Sequence, residues 1–454
     1  MTRSVAMTST LEATLRSHLL RSDGDEDLTL ASYSTSSGRS RETAILTHAI
    51  LPRPGERTVH GNVEFTGEYV LRAASEAATR SEGIAILHSH PDGRGWQGLS
   101  SWDIDAESSF ANLAAAVTGR PLVGMTLAGR DSGWSARAWE NDAMPEWMES
   151  VRVVGSAIHV FWNPQLRPPP QSNGSQLRTI SAWGAEVQSN ICRLRVLVVG
   201  AGSVGLDVAQ RLAATGLLDV GVMDMDIVKD VNLDRMIGAT RADAAGAALK
   251  VDVARRLMDA AATSKRATFH PHAVSLTTSD GLRTALDYDV IISCVDRPWP
   301  RAVLNTLAYS DLIPVIDGGI NIDTFDDGTM RGATWRVHTL VPERPCMACN
   351  GQLVMGDVQL DRQGLLDDPE YIKRTGRKLP SSQNVALLCA SVSAGELAQF
   401  VSLVATPGGM GVPSAQRYIL APHIQEAMND KLTQPHCRFE MRIGEGDARP
   451  RFTD

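Results

Sequence analysis

The sequence predicts an α/β protein of two domains, each built around its own sheet. Three observations carry this. Leu194–Val199 is a short apolar run rich in β-branched residues, followed at once by Gly200, Gly202 and Gly205. Far upstream, Gly83–Leu87 is a second apolar run that ends in His88-Ser89-His90-Pro91. Between them, Asn163–Gln176 holds Pro168, Pro169 and Pro170 and then QSNGSQ, the composition of a linker. At 454 residues the chain is long enough for two or three cores. The expected division is 1–163, a linker over 164–176, and 177–454.

Composition narrows the classes. A formal net charge of −8 and a pI near 5.8 disfavour nucleic acid as a partner. No apolar run approaches the length of a membrane span, and the N-terminus lacks the charged, then apolar, then small-residue order of a secretory signal. A cytoplasmic protein with no membrane association is expected. The six cysteines, at 192, 294, 346, 349, 389 and 437, do not suggest a disulfide scaffold in a chain this long and read as mostly reduced thiols.

Taken in order, residues 1–20 are mostly helix-compatible, with Leu11, Leu15, Leu19 and Leu20 on one face. Arg21–Asp27 and Ser36–Ser40 are polar breaks. Arg41–Leu46 (RETAIL) reads as a strand, Glu68–Glu76 as a helix, and Gly83–Leu87 as a strand running into the two histidines. In extended chain, positions i and i+2 share a side, so His88 and His90 can ligate one metal. The sequence continues to Ser100-Ser-Trp-Asp103. Two imidazoles and one carboxylate leave a fourth position open for water, as in catalytic zinc sites. Val151–Trp162 reads as the last apolar strand of this half.

These residues resemble the JAB/MPN metalloprotease motif, in which a distant Glu precedes HxHP and SxxD follows it. The resemblance covers roughly residues 10–163. It implies a JAB/MPN α/β domain with Zn²⁺ held by His88, His90 and Asp103. Glu42, in the RETAIL strand, would be the general base for the bound water, and Ser100 would help stabilise the oxyanion. His90 and Asp103 stand two residues further apart than in the commonest form of the motif. Gly93, Gly95 and Gly98 supply a loop that can absorb the difference.

In the second half, Gly200, Gly202 and Gly205 have GxGxxG spacing between a strand and a helix-periodic stretch, Leu206–Thr215, that Gly216 ends. A further strand, Val220–Met223, delivers Asp224 about 20 residues past the glycines, where an acid can bind a ribose hydroxyl. This is a Rossmann-like nucleotide site. Alone, the glycine spacing serves NAD or simple packing equally well. Asp224-Met-Asp226, then Val231-Asn232-Leu233-Asp234-Arg235, then Lys250 separate the cases. NAD needs no such cluster, whereas a triphosphate needs carboxylates for Mg²⁺ and Asn, Arg and Lys around its phosphates.

Here the chain resembles the E1-like (ThiF/MoeB) adenylating family, over roughly residues 178–405. The family pattern is a glycine turn, DxD, SNLxRQ, a Lys, and a strand ending in Asp. This sequence has VNLDRM for the third element, without the flanking Ser and Gln, and Asp289–Asp296 for the last. The resemblance implies that Asp224 holds ribose, that Asn232, Arg235 and Lys250 hold the phosphates of ATP, and that Asp226 and Asp296 serve Mg²⁺. Leu177–Asn190 resembles the helical lead-in of such domains, and Arg178 sits where the family often supplies an arginine to the ATP of a partner subunit. That implies a homodimer; an ordinary surface arginine is the alternative.

After Asp296, Pro300–Leu307 is helical in pattern with Arg301 and Asn305 on one face, and Pro314–Gly319 and Thr334–Leu340 read as strands. Cys346-Met-Ala-Cys349 matches half of the paired CxxC by which relatives commonly hold structural zinc. The second pair is missing: only His436-Cys437-Arg-Phe-Glu440 stands near its place, and adjacent residues fit one ion awkwardly. Leu353–Leu379 is charged and loop-like, and Ser381–Phe400 resembles the family's closing helix. Thioester-forming relatives carry a cysteine roughly where Ser381 stands, which leaves Cys346, Cys349 and Cys389 as candidates here.

The two resemblances imply one biology. An E1-like domain adenylates the C-terminus of a ubiquitin-like β-grasp protein, and a JAB domain cuts peptide or isopeptide bonds after such a terminus. A bifunctional enzyme of a bacterial ubiquitin-like conjugation pathway, with an E2-like protein as a further partner, is the first expectation. Activation and trimming of a β-grasp sulfur carrier for cofactor or cysteine synthesis is the alternative. A non-enzymatic scaffold would require lost metal or ATP residues, and the implied set is present.

Overall fold

The computed structural model describes residues 1–140, 144–171, 173–375, 383–428 and 436–450. The chain divides into two compact units. The first comprises Met1–Pro169, Ser310–Leu312 and Ile443–Arg449; the second is built mainly from Pro170–Tyr309 and Ile313–Arg442. Residues 443–449 therefore belong with the first unit, not with the domain expected over 177–454.

The first unit contains β1 (Thr2–Thr8), α1 (Ser9–Leu19), β2 (Leu28–Ser37), β3 (Arg41–Ile50), β4 (Arg57–His60), β5 (Asn62–Phe65), α2 (Gly67–Ala78) and β6 (Gly83–His90). These are followed by α3 (Ser101–Thr118), β7 (Leu122–Ala128), β8 (Trp134–Trp139), β9 (Glu146–Trp147), β10 (Ser150–Val154) and β11 (Ile158–Trp162). Nine strands form one sheet in the order β11-β10-β1-β3-β2-β6-β7-β8-β9. Leu15 and Leu19 of α1 pack on one face with Val5, Met7 and Leu87. Tyr69, Val70 and Ala73 of α2 and Ala111 and Ala114 of α3 pack on the other with Ile84 and Ile86.

Two expectations are corrected here. Residues 2–8 are a strand rather than helix, because Val5, Ala6 and Met7 are buried on both faces between two parallel neighbours, β3 and β10. Thr8 then caps α1 by accepting the Leu11 N–H. Val151–Trp162 is two antiparallel strands, not one, folded back between Val154 and Ile158.

The second unit opens with α4 (Leu177–Trp183) and α5 (Ala185–Arg193), then β12 (Arg195–Val199), α6 (Ser203–Thr215), β13 (Asp219–Met223), α7 (Arg241–Ala245), α8 (Lys250–Ala261), β14 (Thr268–His272), α9 (Ser279–Ala285) and β15 (Val290–Ser293). It continues with α10 (Pro298–Ser310), β16 (Val315–Thr324), β17 (Met330–Leu340), α11 (Met355–Arg362), α12 (Pro369–Thr375), α13 (Ala386–Ala405), β18 (Gln416–Ile419) and β19 (Ile424–Ala427). The sheet order is β14-β13-β12-β15-β16-β17-β18-β19, parallel as far as β16 and antiparallel beyond. The order reverses at β12, with β13 on one side and β15 on the other. A crevice at the carboxyl ends of these strands is where such sheets bind ligands.

The charged stretch expected as loop over 353–379 holds two helices, α11 and α12, whose Val358 and Ile372 are buried. Ser381 lies outside the described residues. Helix α13 has the length and apolarity of a membrane-crossing helix, contrary to the sequence expectation that no run comes near. It also carries Ser393, Glu396 and Gln399, all buried, and Gln399 accepts the Thr339 hydroxyl of β17 at 2.7 Å. Those polar contacts define it as a helix of the domain core.

Candidate functional site

In the second unit the glycine turn follows β12. Gly200 has φ +100°, a conformation that favours glycine, and a Cβ there would come within 2.7 Å of the Cys294 carbonyl oxygen. A Cβ on Gly205 would collide with the Gly200 carbonyl, so glycine at 205 lets α6 start directly against the turn. At Gly202, by contrast, a Cβ would meet only open space. The free N–H groups of α6's first turn thus face an opening suited to an anion.

That opening is a cavity of about 540 Å³, of the size that holds small-molecule ligands. Gly200, Gly202, Asp224, Asp226, Asn232, Arg235, Lys250 and Asp296 all line it. Asp224, at the end of β13, accepts the Ala201 N–H and the Asp226 N–H, each at 2.8 Å, so one carboxylate ties the glycine turn to the DxD turn. Burial raises its pKa against the opposing pull of Lys250. Lys250, the first residue of α8, reaches Asp226 at 2.7 Å. The Asn232 side chain accepts the Lys229 N–H at 2.9 Å, and Arg235 donates to Asp234 at 2.9 Å and to the Val231 carbonyl. Asp296 follows β15. The cavity brings together two cations, Arg235 and Lys250, and three carboxylates, Asp224, Asp226 and Asp296, from four separate stretches of chain. Arg178 is exposed on α4 and is not among the cavity's lining residues.

In the first unit, β6 presents His88 and His90 toward the first turn of α3. The two Nε2 atoms are 3.1 Å apart, and Asp103 carboxylate oxygens lie 3.5 Å from His88 and 3.6 Å from His90. Tetrahedral zinc with N and O ligands sets donor separations of about 3.3 Å, so the three residues fit that ion. Burial, with the Arg137 charge, lowers the pKa of His88 to about 3, so it stands neutral with a lone pair to give. A hydrogen bond donated to Asp103 raises that of His90. Behind His88 lies Glu107, 3.8 Å from Nδ1, buried and held by Arg137 at 2.8 Å and by the Trp139 indole at 2.6 Å. Gln97 Oε1 lies 3.2 Å from His90 Nδ1. Ser100 is the N-cap of α3: its hydroxyl accepts the Asp103 N–H at 3.2 Å, and its own N–H donates to Asp103 at 2.8 Å.

Glu42 is not part of this cluster. β2 pairs antiparallel with both neighbours, setting Leu28 opposite His88 and Ser37 opposite Glu42. Nine residues of strand, about 30 Å, separate the two ends, and Glu42 instead faces Arg3 at 3.6 Å. The acid beside the triad is Glu26, whose charge interacts with those of His90 and Asp103 and whose pKa burial raises. The Ser89 hydroxyl accepts the Asp27 N–H, and the Ser89 N–H donates to the Asp27 carbonyl, both at 3.0 Å; these bonds fasten the Glu26 segment to the HSH strand. Its signal in the sequence was an acid directly ahead of a strand, inside what read as a polar loop.

A second donor cluster is formed by Cys346, Cys349 and Cys437, all buried. Cys346 and Cys437 Sγ atoms are 3.6 Å apart, near the separation of about 3.8 Å that zinc–sulfur bonds impose. Two matching turns hold them: Cys349 N–H donates to Cys346 Sγ at 3.4 Å, and Glu440 N–H to Cys437 Sγ at 3.5 Å. Glu440 Oε2 is buried without a hydrogen-bond partner, and His436 is exposed. Among the described residues the donor cluster holds these three cysteines; neither His436 nor Glu440 is part of it.

A Rossmann-like sheet with a glycine turn and this ring of charged groups defines the class of nucleotide-binding α/β domains that handle a triphosphate. Residues 174–423 match the ThiF family, and the chain belongs to it. Among curated proteins it is similar to the adenylyltransferase and sulfurtransferase MOCS3 of Caenorhabditis briggsae, 28% identical over 170 residues, covering 37% of this chain and 39% of that one. It is also similar to the sulfur carrier protein adenylyltransferase of Thermus thermophilus, 34% identical over 137 residues, covering 30% and 49%. The chain thus spans less than half the length of these relatives. Among solved structures, E. coli MccB with MccA-N7isoASN aligns with TM-score 0.47 and 15% identity, over 60% of this chain and 75% of that one.

Proposed function

We propose that the second unit activates the C-terminal carboxylate of a small β-grasp protein as an acyl-adenylate, and that this partner is a sulfur carrier. The observation that carries the reading is the single cavity in which Lys250, Arg235, Asn232, Asp226 and Asp296 surround the glycine turn. A carboxylate oxygen attacks the α-phosphorus of ATP, the bond to the β-phosphate bridging oxygen breaks, and pyrophosphate leaves. Both reactants are anionic, so fixed cations must offset their repulsion in a partly dry site. Arg235 and Lys250 supply two, and Asp226 and Asp296 would hold Mg²⁺, which adds further positive charge. The similarity to a sulfur carrier protein adenylyltransferase and to an adenylyltransferase and sulfurtransferase supports a sulfur carrier over a ubiquitin-like modifier handed to an E2-like protein. A homodimer in which Arg178 serves the neighbouring site is part of the same reading. Exchange of labelled pyrophosphate into ATP tests it: exchange should depend on a β-grasp protein with a free C-terminus, and its absence with every such protein would remove the reading.

For the first unit we propose a zinc-dependent peptidase of the JAB/MPN kind that trims the same tail. The specific support is the His88–His90–Asp103 cluster with Glu26 alongside. Zinc, when bound, activates a water and polarises a carbonyl. Glu26 takes the water's proton and passes it to the leaving amine. Glu107 and Gln97 orient the two imidazoles, and Ser100 keeps Asp103 in place. Cleavage of a C-terminally extended β-grasp protein, abolished by chelator and restored by zinc, is the test.

A further inference from the structure

Behind the histidine cluster of the first unit lies an ion pair that folding alone does not explain. Arg137 of β8 is fully buried and Glu107 of α3 is 2% exposed. An ion pair this deep often stabilises a fold no better than apolar residues of the same volume, yet several elements are shaped to hold this one. Glu107 Oε2 accepts Arg137 Nε at 2.8 Å and the Trp139 indole N–H at 2.6 Å, and Oε1 accepts Arg137 Nη2. The third guanidinium nitrogen, Nη1, donates to the Thr126 hydroxyl of β7 at 2.7 Å. Gly124, also on β7, makes the room: a Cβ there would collide with Glu107 Oε2 and stand 2.7 Å from Arg137 Nε.

These contacts leave the carboxylate one direction in which to act. A carboxylate oxygen has room for about two donors. Oε2 has two and Oε1 has one. Oε1 lies 3.8 Å from His88 Nδ1, further than a hydrogen bond. His88 turns its other nitrogen, Nε2, toward His90 and Asp103. With a metal on Nε2 the ring proton must sit on Nδ1, the nitrogen that faces Glu107. A carboxylate that meets such a proton orients the ring and raises its basicity. We propose that Arg137 is a positioning residue of the metal site: its fork fixes Glu107 so that Oε1 accepts the His88 Nδ1 proton when zinc is bound, which tightens the hold on zinc. The proposal rests on the reading of His88, His90 and Asp103 as metal ligands.

The experiment titrates cobalt and then zinc into the metal-free full chain. The cobalt absorption that is lost in His88→Ala/His90→Ala belongs to this site and is thereby separated from any at the cysteine cluster. Zinc affinity is read from displacement of that cobalt. Glu107→Gln should weaken zinc about 10–100-fold, the range of such outer contacts. Arg137→Lys keeps the charge and loses the fork, and should weaken zinc about tenfold. The two combined should bind no more weakly than Glu107→Gln alone, because Arg137 acts through Glu107. Gly124→Ala, which removes no polar group, should also weaken zinc and serves if Arg137→Lys does not fold. A pair needed only for the fold would lower the melting temperature of the zinc-free variants and leave zinc affinity at the wild-type value. That result overturns the proposal, as does additive weakening in the double variant. If wild type shows no such cobalt absorption, the reading of the metal site fails first and the proposal falls with it.

Discussion

The Lys250 ammonium lies 2.7 Å from Asp226 and 3.8 Å from Asp224, so the cation expected to meet phosphate is held by the acids expected to hold metal and ribose. On the proposed reading, Asp226 would leave Lys250 to hold Mg²⁺ and Lys250 would turn to phosphate, so nucleotide and metal would exchange those partners together. Lys250→Ala should therefore reduce pyrophosphate exchange about 10²–10³-fold. Asp226→Asn should lose exchange too, yet bind ATP more tightly than wild type in Mg²⁺-free buffer, because it frees Lys250 and removes a like charge. Weaker metal-free ATP binding by Asp226→Asn would show that the pair is not the brake described here.

Asp296→Ala should abolish Mg²⁺-dependent exchange with the fold intact, since Asp296 lines the cavity beyond the end of β15 rather than sitting in the core. Circular dichroism and exchange measured on the same preparation separate the two effects. Wild-type exchange would place the metal elsewhere.

Glu26→Gln should cut hydrolysis of a C-terminally extended substrate by about 10²–10⁴-fold while zinc content is retained. Glu42→Gln, at the other end of β2, should leave the rate within about twofold. Equal effects from the two would mean that hydrolysis depends on neither as a base.

Zinc content should fall by one equivalent in His88→Ala/His90→Ala and by one, independently, in Cys437→Ser. The cysteine variant should also unfold at lower temperature, since zinc bound only by the folded chain contributes to its stability. Unchanged zinc content in Cys437→Ser would mean that the cysteine cluster holds no ion.

Burial and the Asp317 charge push the Glu396 pKa well above the usual range, which yields a pH test. Below the ordinary Glu pKa of about 4.3 the carboxyl is protonated in folded and unfolded chains alike. Above it the unfolded chain ionises freely and the folded one does not, so stability is lost as pH rises toward the folded-state value. Glu396→Gln stays neutral throughout. Its melting temperature relative to wild type should therefore rise between about pH 5 and about pH 8. A constant difference would mean that Glu396 is already ionised.

What the sequence disclosed and what it concealed follow from chain distance. Gly200, Asp224, Asp226, Asn232, Arg235 and Lys250 lie within about fifty residues, on successive strand ends and helix starts, so periodicity and turn chemistry were enough to group them. His88 and His90 were legible because strand alternation alone puts them together. Glu26 was not, since its position depends on the register Leu28 opposite His88, and no local pattern encodes a register between strands. Thr2–Thr8 read as helix because its apolar residues carry no alternation once both faces are covered. Arg301 looked like one polar residue on a helix face; its place beside Asp317, at the cavity, appears only once β16 is set against α10.

The first unit is not one continuous stretch of chain. Ser37 donates to Asp447 from its N–H at 3.1 Å and from its hydroxyl at 2.6 Å, and Gly446 packs so closely on the Thr35 carbonyl that a Cβ there would collide with it. During synthesis, residues 35–37 leave the ribosome some four hundred residues before 446 and 447, with the whole second unit in between. All nine strands of the first unit's sheet are made early, but the segment that covers β2 near Thr35 arrives only after residues 170–442 have been made. Such late, long-range closure slows folding and leaves the backbone around Thr35 uncovered meanwhile, so a chain cut at Pro169 would keep that exposure permanently.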